Sequence, residues 1–288
     1  MQAGRLGLAG SDAAGHLASQ TVRLAPVVAL IFAALFTALA SVPASARDRC
    51  APPAALGQVF VPPAPCFRMG AAFDLPTERY PHAVLGDAIE YGALIAYEER
   101  LEISVELPQH MVFEDLAPRL ADLGGTGKPE ILVVESHAEL GARLAVYRAR
   151  FVDGYSPSIE RIAATAPIGR RFRWLAPVGI ADFDGDGQND VAYVETPHLG
   201  KTLRIVTLRG DEMVELASAS GFSNHRIGED FISGGVRDCG TGPETVTADA
   251  AWRRVVAARL VDGRIEMRDL GPFEGPESFA AALSCTAP

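Results

Sequence analysis

The sequence predicts an all-β protein, a β-propeller-like array of about four four-stranded antiparallel blades, and three observations carry that prediction. Short apolar runs alternate with Gly-Lys, Gly-Asp and Asp-Gly turns, and no stretch between Pro177 and Gly221 holds helical spacing over a useful length. A unit of four such runs recurs, its turn glycines Gly127, Gly187 and Gly242 standing 60 and then 55 residues apart, as propeller blades do. One such unit cannot cover both of its apolar faces alone, so neighbouring units must stack in a ring or an arc.

Taken in order, the 288 residues open with 1–46, which read as a secretory signal peptide. Arg5, His16 and Arg23 make a mildly basic start, and Leu24 to Ala40 is an uncharged apolar run. Ser41-Val42-Pro43 breaks that run, and Ala44-Ser45-Ala46 is an A-x-A signal that puts cleavage between Ala46 and Arg47. The alternative is a retained membrane anchor, but the run is short for a span of about 20 residues. No stable membrane span is therefore expected after cleavage. No Arg-Arg pair precedes the run, which argues against the twin-arginine route; the expected destination is the periplasm or the medium. Residues 47–66 form a Pro-rich segment, APPAALGQVFVPPAP at its centre, which reads equally well as a linker or as part of a closure. Residues 67–288 are the predicted propeller domain.

Composition narrows the partners. The whole chain carries −10; residues 1–46 hold two arginines and one aspartate, +1, which leaves −11 for the rest. That balance excludes a nucleic-acid binder, which needs a basic face, and argues against adsorption to anionic lipid. The four cysteines, Cys50, Cys66, Cys239 and Cys285, all follow the signal segment. In an oxidising compartment an even number suggests disulfides. Cys50–Cys66 and Cys239–Cys285 are favoured as the shorter closures, with Cys66–Cys285 open as the alternative. A Cys₄ zinc site is the weaker rival, since no C-x₂-C pair is present.

The units are expected at about 67–110, 116–166, 175–220 and 232–272. The third is the clearest, with strands at Val178 to Ala181, Asp190 to Glu195, Leu203 to Leu208 and Met213 to Ala219. ILVVES at 131–136, RLAVYRA at 143–149 and Ser158 to Thr165 repeat it upstream. TVTADA at 245–250, RRVVAARL at 253–260 and RIEMRDL at 264–270 repeat it downstream. The first unit is read from strands at 80–87, 92–98 and 101–107, with an inner strand near 67–73. Closure falls to the C-terminal 278–288 region or to the Pro-rich segment.

At the centre of the third unit, Asp182, Asp184, Asp186 and Asp190 occupy positions 1, 3, 5 and 9 of a loop with Gly187 at position 6. Such spacing wraps oxygen ligands around one hard cation, and Ca²⁺ suits a flexible oxygen-rich loop better than Mg²⁺. The expected ligands are the side chains of Asp182, Asp184, Asp186 and Asp190 and the backbone carbonyl of Gln188. An EF-hand is excluded, because position 12 is Tyr193 inside a strand rather than a glutamate before a helix. The corresponding loops 122–130 and 238–244 keep only Asp122 with Glu130 and Asp238 with Glu244, too few ligands for an ion. Thr126 and Thr241 are expected to hold those turns.

The unit resembles the FG-GAP repeat of integrin α-subunit propellers and its bacterial relatives, the VCBS repeats, over roughly Tyr80 to Leu270. There an inner strand ends in Gly-x-x-Asp, enters a D-x-D-x-D-G-x-x-D calcium loop and leaves along an apolar strand. Gly179-Ile180-Ala181-Asp182, Asp182 to Asp190 and Val191 to Val194 match that pattern; the trailing Gly-Ala-Pro is replaced by Glu195-Thr196-Pro197. The resemblance implies an exported calcium-binding propeller, in a family where seven blades are common.

Catalytic signatures are absent: no G-x-S-x-G elbow, P-loop or dinucleotide fingerprint occurs. Arg170, Arg171, Arg173 and Trp174 form a basic and aromatic knot that can grip an acidic group or simply guard a strand edge. His110, His198 and His225 lack a metal spacing and read as surface histidines; Asp87 with Glu90 and Asp211 with Glu212 are acid pairs that nothing places across a cleft. The expected role is a binding or scaffold module for a protein or carbohydrate partner rather than an enzyme. The rival is a propeller enzyme, a polysaccharide lyase or hydrolase with its site in a central channel, which rests on fold analogy alone.

Overall fold

The polar–apolar alternation of a half-exposed strand is missing from the middle strands of this chain. Glu130–His137 and Leu175–Ala181 are buried almost end to end, as strands are when both faces of their sheet are covered. A computed structural model describes residues 69–151 and 156–286, with the backbone of 20–24, and it shows the cover.

The first strand, β1 (Gln20–Leu24), precedes the units. Unit one is β2 (Met69–Thr77), β3 (Glu90–Glu98) and β4 (Leu101–Glu106). Unit two is β5 (Met111–Phe113), β6 (Arg119–Ala121), β7 (Glu130–His137), β8 (Gly141–Arg150) and β9 (Ser158–Ala164). Unit three is β10 (Leu175–Ala181), β11 (Asp190–Glu195), β12 (Thr202–Arg209) and β13 (Glu212–Ser220). Unit four is β14 (Phe222–Ser223), β15 (Gly235–Asp238), β16 (Pro243–Asp249), β17 (Arg254–Val261) and β18 (Arg264–Pro272). The helix α1 (Pro276–Leu283) follows. Among the described residues the ladders are antiparallel, the fold is all-β but for this one helix, and most strands fall where the apolar runs put them.

Side-chain alternation on the inner strands sorts residues into successive cores. On β7, Ile131 and Val133 join unit one's Leu94, Ala96, Ile103 and Val105, while Leu132 and Val134 join unit three's Ile180, Val191 and Tyr193. On β11, Val191 and Tyr193 face that second core; Ala192 and Val194 join Val236, Val256 and Ala258 of unit four. On β17, Val255 and Ala257 meet Phe279 and Ala282 of α1. The units therefore stack in chain order, and each fully buried Val, Leu or Ile contributes about 1.5–3 kcal/mol. The last strands β9, β13 and β18 lie at the wet margin and are mostly exposed or half-buried.

Several expectations are corrected. Units one and two share one nine-stranded sheet rather than forming separate blades, because β5 pairs with β3 through Tyr91↔Phe113 and with β7 through Met111↔His137. Residues 80–87 are turns, not a strand: Pro81 and Gly86 interrupt extended pairing while Tyr80 and Val84 bury their side chains. The inner strand of unit one is β2. The C-terminal region does not close the array as a strand. It forms α1, with Pro276 in the first turn, and covers the far face of unit four. Arg237 ties it down by donating to the Ala282 carbonyl at 2.5 Å and pairing with Glu244.

Cys239 and Cys285 are bonded, with Cα atoms 5.7 Å apart, as favoured. Cys50 and Cys66, the Pro-rich segment and nearly all of the signal segment lie outside the described residues. The exception is β1, whose backbone pairs along the edge of β4 from Gln20↔Val105 to Leu24↔Leu101. Among the described residues no helix is long and apolar enough to cross a membrane.

Stacking also accounts for Gly179. A Cβ there would lie 2.5 Å from Cγ2 of Val236, a β-branched side chain buried in the next unit. Gly179→Ala is expected to cost about 1–3 kcal/mol, the usual penalty of overpacking, read as a lower urea midpoint. An unchanged midpoint would mean that units three and four are not held at this contact.

Candidate metal centre

Each acidic loop begins with an aspartate that folds the turn. Asp182 accepts backbone N–H groups from Gly185 at 2.8 Å and Gly187 at 2.9 Å. Asp122 does the same for Thr126 and Gly127, at 2.8 and 2.7 Å. Asp238 does so for Gly240 and Gly242, at 2.8 and 3.1 Å. These carboxylates, more than Thr126 and Thr241, hold the turns. Thr126 Oγ1 accepts only a long 3.4 Å bond from Lys128, and Thr241 Oγ1 accepts from Arg259. The first carboxylate is thus needed by the backbone whether or not an ion is bound.

The last carboxylate of each loop is buried at the start of an inner strand, and the three units neutralise it differently. Glu130 is held by Leu123 N–H at 3.0 Å and by Arg148 at 2.8 Å. Glu244 is paired with Arg237 at 2.7 Å and Arg268 at 2.9 Å, with Arg259 at 3.5 Å. Asp190 accepts Phe183 N–H on Oδ2 at 3.0 Å, while its buried Oδ1 has no partner. Ladder register explains the difference. The residue across from Asp190 is Thr207. Arg148 and Arg259 hold the same place, one step beyond the pairs Ile131↔Tyr147 and Thr245↔Ala258. Where the facing residue is arginine, the loop has lost its middle carboxylates; where it is threonine, they remain.

Oxygen atoms of Asp182, Asp184 and Asp190 lie within 4.8 Å of one another, graded from exposed Asp184 to buried Asp190. Burial lifts the Asp190 carboxyl to about 6, against a hydrogen bond from Thr207 and with the charge of Asp184 adding to the rise. An ionised carboxylate without a counter-charge at such a place costs several kcal/mol, and a cation among the three removes that cost. The set is all oxygen, as hard divalent ions prefer. Of the other expected ligands, Asp186 is outside the triad and accepts Gln188 N–H at 2.8 Å, and the Gln188 carbonyl has no recorded contact.

A second group of buried polar residues went unread in the sequence. The turns at 79–88, 114–118 and 166–174 converge with those at 196–201 and 224–234. His82 Nδ1 lies 2.5 Å from Glu114 Oε1, Ser136 Oγ donates to the other Glu114 oxygen, and Trp174 Nε1 donates to the Glu114 carbonyl at 2.9 Å. His198 Nε2 is 2.8 Å from His225 Nδ1, and His225 Nε2 donates to the Glu229 carbonyl at 3.0 Å. His225 is fully buried and His198 half-buried, against the reading of both as surface histidines. Nor does the 170–174 knot form one surface: Trp174 is buried, and Arg171 lies over the Phe172 ring at 4.5 Å. Asp87 caps Ile89 N–H at 2.8 Å while Glu90 is buried, so they are not a catalytic pair. Only Tyr80, Trp174 and three scattered histidines hinted at this junction, and no local spacing joins them.

Burial raises the Glu90 carboxyl to about 9, with Glu114, Asp87 and Asp115 adding to the effect. The folded chain therefore keeps a proton that the unfolded chain, at its ordinary value of 4.5, releases. Stability is lost as pH rises through that window. Glu90→Gln preserves the neutral shape, so between about pH 5 and 9 the variant should gain in melting temperature over the parent. Melting curves that stay parallel across that range would show that Glu90 folds ionised. Comparison of the chain with protein-family models and with curated proteins gives no match.

Proposed function

We propose that this chain is an exported, Ca²⁺-braced repeat protein of the FG-GAP/VCBS type, its stacked units forming a propeller-like scaffold that presents loops to a protein or glycan partner. The observation that carries the reading is the acidic triad closed by Asp190, whose buried Oδ1 has no partner. Ca²⁺ takes about six to eight oxygens, which the triad, the Gln188 carbonyl and water can supply. The bound ion then does for unit three what arginines do for units two and four. It braces the crossing from β10 to β11, and its binding energy adds to folding. The Cys239–Cys285 bond suits an oxidising compartment, in keeping with the A-x-A signal.

The convergence of Glu114, His82, His198 and His225 favours a second reading, an enzyme acting on polysaccharide. The cavity beside them measures about 30 Å³, room for water or an ion but not for a sugar ring, whose sites run to about 300 Å³ or more. The scaffold reading is therefore preferred.

Calcium at about one hundred times its Kd should stabilise the protein by about 2.7 kcal/mol, or about 5–10 °C in Tm. Asp184→Asn should abolish that rise. Thr207→Arg should raise the Tm without calcium and remove the response to it, because the guanidinium takes the ion's place. Equal melting curves in calcium and in chelator for the parent would refute the calcium assignment, and a full calcium response in Thr207→Arg would refute the exchange. A glycan array read with and without calcium tests the partner: selective binding supports a carbohydrate ligand, and a blank array leaves the protein-partner version.

A further inference from the structure

We propose that the small cavity between His82 and His198 is a second cation site, selective for Zn²⁺ or another nitrogen-preferring divalent ion, with these two imidazoles as its protein ligands. The site is independent of the acidic loop and uses residues from units one and three. Both histidines line the cavity of about 30 Å³, with Thr196, Phe172 and Trp174 among its walls. That volume exceeds the roughly 10–15 Å³ needed to seat a water molecule.

The hydrogen bonds assign the tautomers. The Glu229 carbonyl can only accept, so His225 carries its proton on Nε2 and accepts through Nδ1. His198 must then donate from Nε2, which leaves the lone pair on its Nδ1. Glu114 accepts from Ser136; with its carboxyl ionised it accepts His82 Nδ1–H at 2.5 Å, which leaves the His82 lone pair on Nε2. Each imidazole thus has one nitrogen tied to an acceptor, which makes Nε2 of His82 and Nδ1 of His198 the ligating atoms. Metal-binding histidines are held in this way, with the second nitrogen bonded to a carboxylate, a carbonyl or another acceptor.

Glu114 stands behind His82, and Arg173, the cation on the cavity wall, donates to the Phe172 carbonyl at 3.2 Å. Zn²⁺ takes four ligands, so the two positions beyond the imidazoles fall to water.

The test is calorimetric titration of ZnCl₂ into the full chain in saturating calcium, which keeps the acidic loop filled. One Zn²⁺ equivalent is expected. His82→Gln and His198→Gln should each weaken it at least tenfold, and Glu114→Gln, which removes only the orienting carboxylate, by about 10–100-fold. Asp184→Asn should leave it unchanged. The exposed-side pair His110 and His137, with rings 4.9 Å apart, is the competing location, so His110→Gln is the control. Should a cavity variant misfold, ring ¹⁵N shifts of the parent decide: Zn²⁺ should move His82 Nε2 and His198 Nδ1. No binding in saturating calcium, binding lost with His110→Gln, or shifts confined to His110 and His137 would each overturn the proposal.

Discussion

The inner strands β7, β11 and β16 bury both of their faces, so their sheets cannot stand with one side in water. That constraint produces the stack: unit two shares one core with unit one and another with unit three, unit three shares one with unit four, and α1 covers the far face of unit four. It turns the inner strands into nearly unbroken apolar runs, since both side-chain registers are buried. It makes Gly179 a requirement of close approach rather than of turn geometry, and it recruits α1 as a lid for unit four, where Phe279 and Ala282 fill the last core. The Arg237–Ala282 contact and the Cys239–Cys285 bond then fasten the lid to the loop beneath it.

Stacking has an electrostatic consequence. The loop that opens each middle strand ends on a carboxylate that the neighbouring sheet shields from water. Such a charge needs a partner, and the ladder offers a place for one across the strand, to which unit four adds Arg237 and Arg268. Arginine fills that place in units two and four. Unit three has Thr207 there and keeps three aspartates within reach of a single ion. Loop composition and facing residue therefore belong to one solution, although about twenty positions of sequence separate them. The retained Asp122 and Asp238 are not remnants of lost ion sites; they fold their turns as Asp182 does.

The buried polar junction follows from a different irregularity. In units two and four the first strand is split, β5 from β6 and β14 from β15, and the intervening residues leave the ladder. Their polar groups meet at one place and bond across units, as Asn224 Nδ2 does with the Ala176 carbonyl at 3.1 Å, although Asn224 Oδ1 is left without a partner. Networks of this kind are costly when incomplete and specifying when complete. Here they join the turns of unit one to those of unit four, which share Val84 and Ile232 in one core.

What was legible in the sequence was periodic or contiguous. The strands DVAYVE and LRIVTL, the recurrence of the unit and the Asp182 to Asp190 spacing are short-range patterns, set by pleat and turn geometry that a few residues determine. The favoured Cys239–Cys285 pairing also stood. Helix α1 escaped because eight residues rich in alanine show no long period, and residues 80–87 were misread because apolar side chains there bury through turns. The arginines that face Glu130 and Glu244, the fusion of two units through β5 and the meeting of His82, Glu114, His198 and His225 depend on which strands lie opposite and which loops converge. Those relations arise only when the sheets stack, because the stacking, not the local chain, decides which buried charges face each other.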